Sequence, residues 1–323
     1  MPNLFVSSKC ERNCSFCFAK KGPWDASYHA HGMTLDEVKK FVDLKTGSNM
    51  REMGLMGGEP LYNPELKSII EILWDKGYTP KIFTGISCDI SDDILNLEIP
   101  PYKRLRFVAN LGTEDTYTEK QLQVMKKFFT KFSKHISLAH TILKLDEDLS
   151  YLVDYVKKYK LLPIIRLGLA LPVADGSNDF VNKSDYRAFA LKIIDFVESA
   201  AGEGIIIGLD CGFVACMFTT EEIGKLQFRG IEFVFCCKPV IDVGPKLISW
   251  YCFPLAADTK IGLNGNDRLD YLENYFSGYS KEKREKLGVG IFDKCSSCDY
   301  LTMGLCNGGC LALLINEKKN LLN

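Results

Sequence analysis

From residue 3 to about residue 170 the chain alternates short apolar runs with longer amphipathic stretches. The runs predict strands at Leu4–Ser7, Glu52–Met56, Pro80–Thr84, Arg104–Ala109, His135–Ala139 and Pro163–Leu169. Helical periods lie between them. Thr34-Leu35-Asp36-Glu37 reads as a capping box, in which hydroxyl and carboxylate each satisfy an open amide. Asn63-Pro64 reads as a cap followed by proline at the first helical position. Further helices are predicted over Glu114–Phe132, Asp146–Lys158 and Ser184–Ala200. Six βα units in series imply parallel strands, because a crossover helix returns each strand in the same direction. Six are too few for a closed eight-fold barrel. The expected class is therefore α/β, a partial (β/α)6 TIM-type barrel with its functional face on the loops after the strands. Past residue 201 the helical period fades, and Gly, Cys and short β-like runs take over. The expected domains are 1–200, the barrel, and 201–323, a smaller cysteine-rich domain. The first strand begins almost at residue 3, an arrangement expected to leave no room for an extra amino-terminal domain.

Composition narrows the function without naming it. The 323 residues are 46% hydrophobic and 25% charged, with a formal net charge of −1, enough apolar material for a substantial core. Lys and Arg are spread along the chain, so no basic face for nucleic acid is expected. No apolar run has membrane-spanning length, and Met1–Val6 lacks the form of a signal peptide. A cytoplasmic protein without a membrane partner is expected. The 13 cysteines then stand out, and in a reducing compartment metal ligation explains them better than disulfides. Three fall within residues 10–17, Cys88 is alone, and nine lie between 211 and 310.

Cys10-Glu11-Arg12-Asn13-Cys14-Ser15-Phe16-Cys17 follows the first predicted strand directly. Three thiolates so spaced can hold three corners of a cubane and leave one iron without a protein ligand, open to a substrate or cofactor. The competing reading is a zinc knuckle. Structural zinc wants four protein ligands, and the nearest further ones in sequence are His29 and His31. Cys88 reads as a buried apolar residue. A second motif, Met56-Gly57-Gly58-Glu59-Pro60, ends the second predicted strand.

The C-x3-C-x-aromatic-C pattern resembles the signature of the radical S-adenosylmethionine (SAM) superfamily. The resemblance implies a [4Fe–4S] cluster on Cys10, Cys14 and Cys17, with SAM chelating the open iron and Phe16 packing near its adenine. Gly57, Gly58, Glu59 and Pro60 are similar to the family's GGEP motif, which implies contact with the SAM amino group. The residue types suit this: glycines admit a close backbone approach, and a carboxylate complements an ammonium. Ser87 in Thr84-Gly85-Ile86-Ser87, Asn110 and Arg166 stand where family members touch SAM, or where Arg166 would reach the substrate. Each also reads as an ordinary turn residue or polar barrel group.

The carboxy-terminal cysteines resemble the SPASM extension, which carries auxiliary [4Fe–4S] clusters in enzymes that modify peptides and proteins. The pattern here is Cys211, Cys216, Cys237, Cys252, Cys295, Cys298, Cys306 and Cys310. It departs from the family in the seven-residue gap before Cys306, in the place of Gly244, and in the lack of a cysteine after Cys310. Counting one of Cys236 and Cys237, eight cysteines suffice for two clusters; one cluster, or zinc on the last four, are the alternatives. The resemblance implies a radical SAM enzyme that abstracts a hydrogen atom from a ribosomally made peptide, giving a crosslink, epimerisation or oxidation. The alternatives are sulfatase-maturase-like oxidation of a protein Ser or Cys, small-molecule modification, or an Fe–S electron carrier without turnover. Implied partners are a peptide or protein substrate, an electron donor such as flavodoxin or ferredoxin, and possible use of a separate leader-recognition protein.

Overall fold

The structure, a computed structural model, describes residues 1–19, 32–44, 51–86, 89–173, 175–264 and 269–318. The chain forms two compact units. One comprises Met1–Cys14, Ala19–Ile136 and Pro239–Ser277; the other comprises Ser15–Phe18, Ser137–Lys238 and Gly278–Asn323.

In the first unit, β1 (Asn3–Ser7), β2 (Glu52–Gly57), β3 (Thr79–Thr84) and β4 (Arg106–Asn110) pair in sequence order, all parallel. All five residues of β1 are buried, as expected of a parallel strand covered on both faces. The second unit holds β5 (Ile136–Ile142), β6 (Ile164–Leu169) and β7 (Ile206–Leu209), again parallel. The chain then adds β8 (Asp242–Gly244) parallel to β1 in the first unit, followed by β9 (Ile248–Trp250) and β10 (Ile261–Gly262), both antiparallel. The fold is α/β and mainly parallel, as six successive βα units predicted.

The helix starts show where local chemistry decided. Thr34 and Glu37 form the expected capping box, with Glu37 accepting from the Thr34 amide at 2.8 Å. The stretch from Glu114 instead makes a short 3-10 turn, and the helix Glu119–Phe132 starts after a second box, Thr118 with Gln121. The predicted start at Asn63-Pro64 moves to Leu66. Asn63 is used differently: it donates to Val6 O at 2.6 Å and accepts from the Glu65 amide at 2.7 Å, tying the loop to β1. Similarly, Glu147 accepts from the amides of Leu143 and Lys144, which holds a turn and delays the next helix to Ser150–Tyr159. Helical structure was expected to fade after residue 201, but Thr220–Phe228, Leu269–Leu287 and Leu311–Lys318 are helices. No described helix is long and apolar enough to cross a membrane.

A buried polar pair links β1 and β8 in the first unit. Asn3 on β1 faces Asp242 on β8, and its side-chain amide donates to Asp242 Oδ1 at 2.7 Å. Burial pushes the Asp242 carboxyl up to about 7, against the opposing hydrogen bond from Asn3.

Candidate functional site

β1 delivers the chain into the Cys10 loop, and β2 delivers Gly57-Gly58-Glu59-Pro60 beside it. Backbone hydrogen bonds lock the two motifs together: Gly58 N donates to Ser7 O and Glu59 N to Lys9 O, each at 2.7 Å. The glycines are required by this approach. A Cβ on Gly58 would lie 2.5 Å from Lys9 O and 3.0 Å from Cys10 Cβ. One on Gly57, at φ +151°, would lie 2.1 Å from Ser7 O. Their immediate use is thus to seat one motif against the other.

Glu59 is buried, at 1% exposure. Its Oε1 accepts from Thr84 Oγ1 at 2.6 Å and from Leu61 N at 3.1 Å, while Oε2 accepts from Gly85 N at 2.7 Å. Leu61 belongs to the short turn that Pro60 opens. Burial raises the carboxyl pKa, and those three bonds together with the charge of Arg12 work against it. A carboxylate has about four acceptor directions, so three donors fix its orientation and leave room for one more.

Arg12, between Cys10 and Cys14, is the functional residue the sequence reading missed. Its Nη1 donates to Asn110 O at the end of β4 at 2.6 Å, and the guanidinium lies 5.9 Å from the Tyr117 ring centre. A Cβ on Gly85 would lie 2.9 Å from Arg12 Nη1, so that glycine makes room for the arginine. Burial tends to lower its pKa, but Tyr117, Cys14, Cys10 and Glu59 outweigh that and hold Arg12 cationic. A fixed positive charge therefore sits beside two of the three thiols predicted to hold a cluster. Asn110, expected to meet SAM, here offers its carbonyl to Arg12.

In the second unit, Phe16 O accepts from Asn178 Nδ2 at 3.0 Å and Ser15 O from Asp179 N at 3.1 Å. Arg166 on β6 forms an ion pair with Asp210 at 2.8 Å. Cys10 is exposed, while Cys14 and Cys17 are half-buried. Ser87, Cys88, His29 and His31 lie outside the described residues.

The same unit gathers Cys216, Cys295, Cys298 and Cys306 around one small pocket, with Phe292 and Tyr300 among its walls. Glycines again let backbone close in. A Cβ on Gly290 would lie 2.7 Å from Cys295 Sγ, and one on Gly308 would lie 2.6 Å from Val289 O. Gly308 N donates to Cys306 Sγ at 3.4 Å. Burial raises the Cys216 thiol pKa, and Cys295, Cys306 and Cys298 raise it further against the opposing charge of Lys294. Bound metal would reverse this by taking the thiolates. Cys310 opens the helix Leu311–Lys318. Cys237 exchanges two 2.8 Å hydrogen bonds with the side chain of Asn307, next to Cys306. Cys211 is exposed after β7. Cys252 belongs to the first unit, where it caps the turn Phe253–Leu255.

Cysteine thiolates are the ligands that iron–sulfur clusters take. Among the described residues, no three His, Cys, Asp or Glu side chains converge on one point as a single ion requires. A cubane makes a different demand, since each thiolate binds its own iron at a separate corner.

The chain is similar to several known proteins. The curated S-adenosylmethionine-dependent nucleotide dehydratase of Selenomonas ruminantium is 29% identical over 98 residues, spanning 30% of this chain and 34% of that protein. Among solved structures, Streptococcus suis SuiB bound to S-adenosylmethionine gives a TM-score of 0.67 at 16% identity, covering 98% of this chain and 74% of that one. SuiB bound to precursor peptide SuiA gives 0.63 at 15% identity, covering 98% of this chain and 73% of that one. For anSMEcpe with bound AdoMet and Kp18Cys peptide the TM-score is 0.62 at 15% identity, covering 96% of this chain and 88% of that one. At these identities the structures show a shared fold. The profile of the Radical SAM superfamily matches residues 4–141, the stretch that holds both motifs.

Proposed function

We propose that the protein is a peptide-modifying radical SAM enzyme. The observation that carries the SAM chemistry is the locking of Gly58 and Glu59 onto the Cys10 loop, with Glu59 held by three donors and one acceptor direction left over. Cys10, Cys14 and Cys17 would hold the [4Fe–4S] cluster, Glu59 would accept from the SAM amino group, and Phe16 would border the adenine. When bound, the reduced cluster and SAM supply a 5′-deoxyadenosyl radical that removes a hydrogen atom from the substrate. Arg12 keeps a positive charge beside the cluster thiols, and Thr84 and Gly85 hold Glu59 in one orientation.

A peptide substrate is supported by two features. The cysteine-lined cavity around Cys216 suits at least one auxiliary cluster, with the remaining carboxy-terminal cysteines as further ligands. The shared fold includes SuiB bound to precursor peptide SuiA and anSMEcpe bound to a Kp18Cys peptide. Flavodoxin or ferredoxin would supply the electron, and a separate leader-recognition protein would extend the peptide site. The nucleotide dehydratase match supports a second reading, modification of a nucleotide.

The test is turnover by the anaerobically reconstituted protein with SAM and dithionite. Short peptides encoded beside its gene and nucleoside triphosphates would be offered in parallel and followed by mass spectrometry. Peptide-dependent 5′-deoxyadenosine with a changed peptide mass is expected. Stimulation by nucleotides alone, with every peptide unaltered, would overturn the peptide reading.

A further inference from the structure

We propose that the Tyr186 hydroxyl donates a hydrogen bond to the cysteine sulfurs of an auxiliary iron–sulfur cluster in the second unit and raises its reduction potential. The inference rests on the auxiliary cluster proposed above.

Tyr186 begins the helix Tyr186–Gly202 and is 2% exposed. Its hydroxyl is buried with no hydrogen-bond partner among the described residues. Such orphans are rare, because the group has given up water for nothing. Its place explains it. The Tyr186 ring meets Phe292 edge-on, with centroids 6.1 Å apart, and Phe292 lines the cavity with Cys216, Cys295, Cys298 and Cys306. The next residue, Arg187, donates to Met217 O at 3.1 Å, which ties the turn carrying Cys216 to the same helix end. Cys310, Glu317 and Cys216 are near enough to act on the phenol electrostatically. Glu317 is already engaged by Lys183. The two cysteines are the groups whose sulfurs would gain acceptor strength on binding iron. Burial, with those neighbours, keeps the phenol protonated well above physiological pH, so it has a proton to donate to a sulfur.

Reduction adds negative charge that spreads onto the cluster and ligand sulfurs. A donor aimed at them stabilises the reduced form more than the oxidised form, and hydrogen bonds to sulfur are an established lever on cluster potential. Tyr186 is thus a positioning and tuning residue, distinct from the ligands.

The test uses the full-length chain with Cys10, Cys14 and Cys17 replaced by Ala, so that only auxiliary iron remains, with and without Tyr186→Phe. Iron content is measured first, and the midpoint potential then comes from an EPR-monitored redox titration. With iron content unchanged, Tyr186→Phe is expected to lower the reduced-to-oxidised ratio at a fixed potential about tenfold, a shift of about 59 mV for a one-electron couple. The apoprotein Tm should be unchanged or raised, since the lost hydroxyl had no partner. An unchanged midpoint with iron present overturns the inference and leaves the auxiliary cluster standing. Absence of iron from the parent triple variant overturns the cluster and the inference with it. A lower apoprotein Tm in Tyr186→Phe would show that the hydroxyl serves a protein partner, and would also overturn it.

Discussion

Replacing Asp242 by asparagine should stabilise the protein at neutral pH, although it removes a hydrogen-bonded carboxylate. The carboxyl is 2% exposed, faces Asn3 across β1 and β8, and has its pKa pushed up to about 7 by burial. In the unfolded chain an aspartate titrates near 3.9. The folded value is the higher one, so the native state holds this proton more tightly. Its contribution is fully present below about pH 4 and is lost as pH rises through about 7. Three pH units at about 1.4 kcal/mol each put the full loss at about 4 kcal/mol. Asparagine keeps the shape and stays neutral throughout. The stability difference between Asp242→Asn and wild type should therefore grow in the variant's favour from pH 4 to 7 and then level off. Urea unfolding of both proteins at half-unit pH steps measures it. A difference that does not vary with pH, or a variant less stable than wild type at pH 7.5, would refute the assignment of Asp242 as a buried acid whose folded-state pKa lies near 7.

Other substitutions probe the site. Glu59→Gln removes the charge meant for the SAM ammonium, and loss of a charge-assisted bond of about 1.5–3 kcal/mol should weaken SAM binding at least tenfold by equilibrium dialysis. Gly58→Ala drives a methyl against Lys9 O and should cost about 1–3 kcal/mol in thermal unfolding. It should also reduce iron loading in a background lacking the auxiliary cysteines. Arg12→Lys keeps the charge but loses the planar guanidinium beside Gly85 and Tyr117, so 5′-deoxyadenosine formation should fall while Tm changes little. Thr219→Ala removes the hydroxyl that accepts from Glu222 N and should cost about 1 kcal/mol in a chemical melt.

Much of this was legible in the sequence where the determinants are local. β1 to β6 fall on short apolar-rich runs set between amphipathic stretches, and the Thr34 box places acceptor and donor three residues apart. Other features depend on distant partners. β8, β9 and β10 have two or three residues each, too short for any periodicity to register. The helix Leu269–Leu287 buries Leu269, Leu272 and Phe276 at helical spacing, but Gly278 and the charged run after it mask the pattern. Arg12 reads as a loop residue because its acceptor, Asn110, is 98 positions away. The cysteines could be counted in advance. That Cys216 joins Cys295, Cys298 and Cys306 at one cavity, beside an orphaned tyrosine hydroxyl, depends on packing that no local pattern encodes.

The central claim is that the Cys10 loop and Glu59 together make a SAM-cleaving site. It is tested most directly by 5′-deoxyadenosine release from anaerobically reconstituted protein supplied with SAM and dithionite, beside a Cys14→Ala control that retains its auxiliary iron. The account predicts release by the wild type and none above background in the control. Equal release by both, or release by neither when the wild type carries its full iron complement, would contradict it.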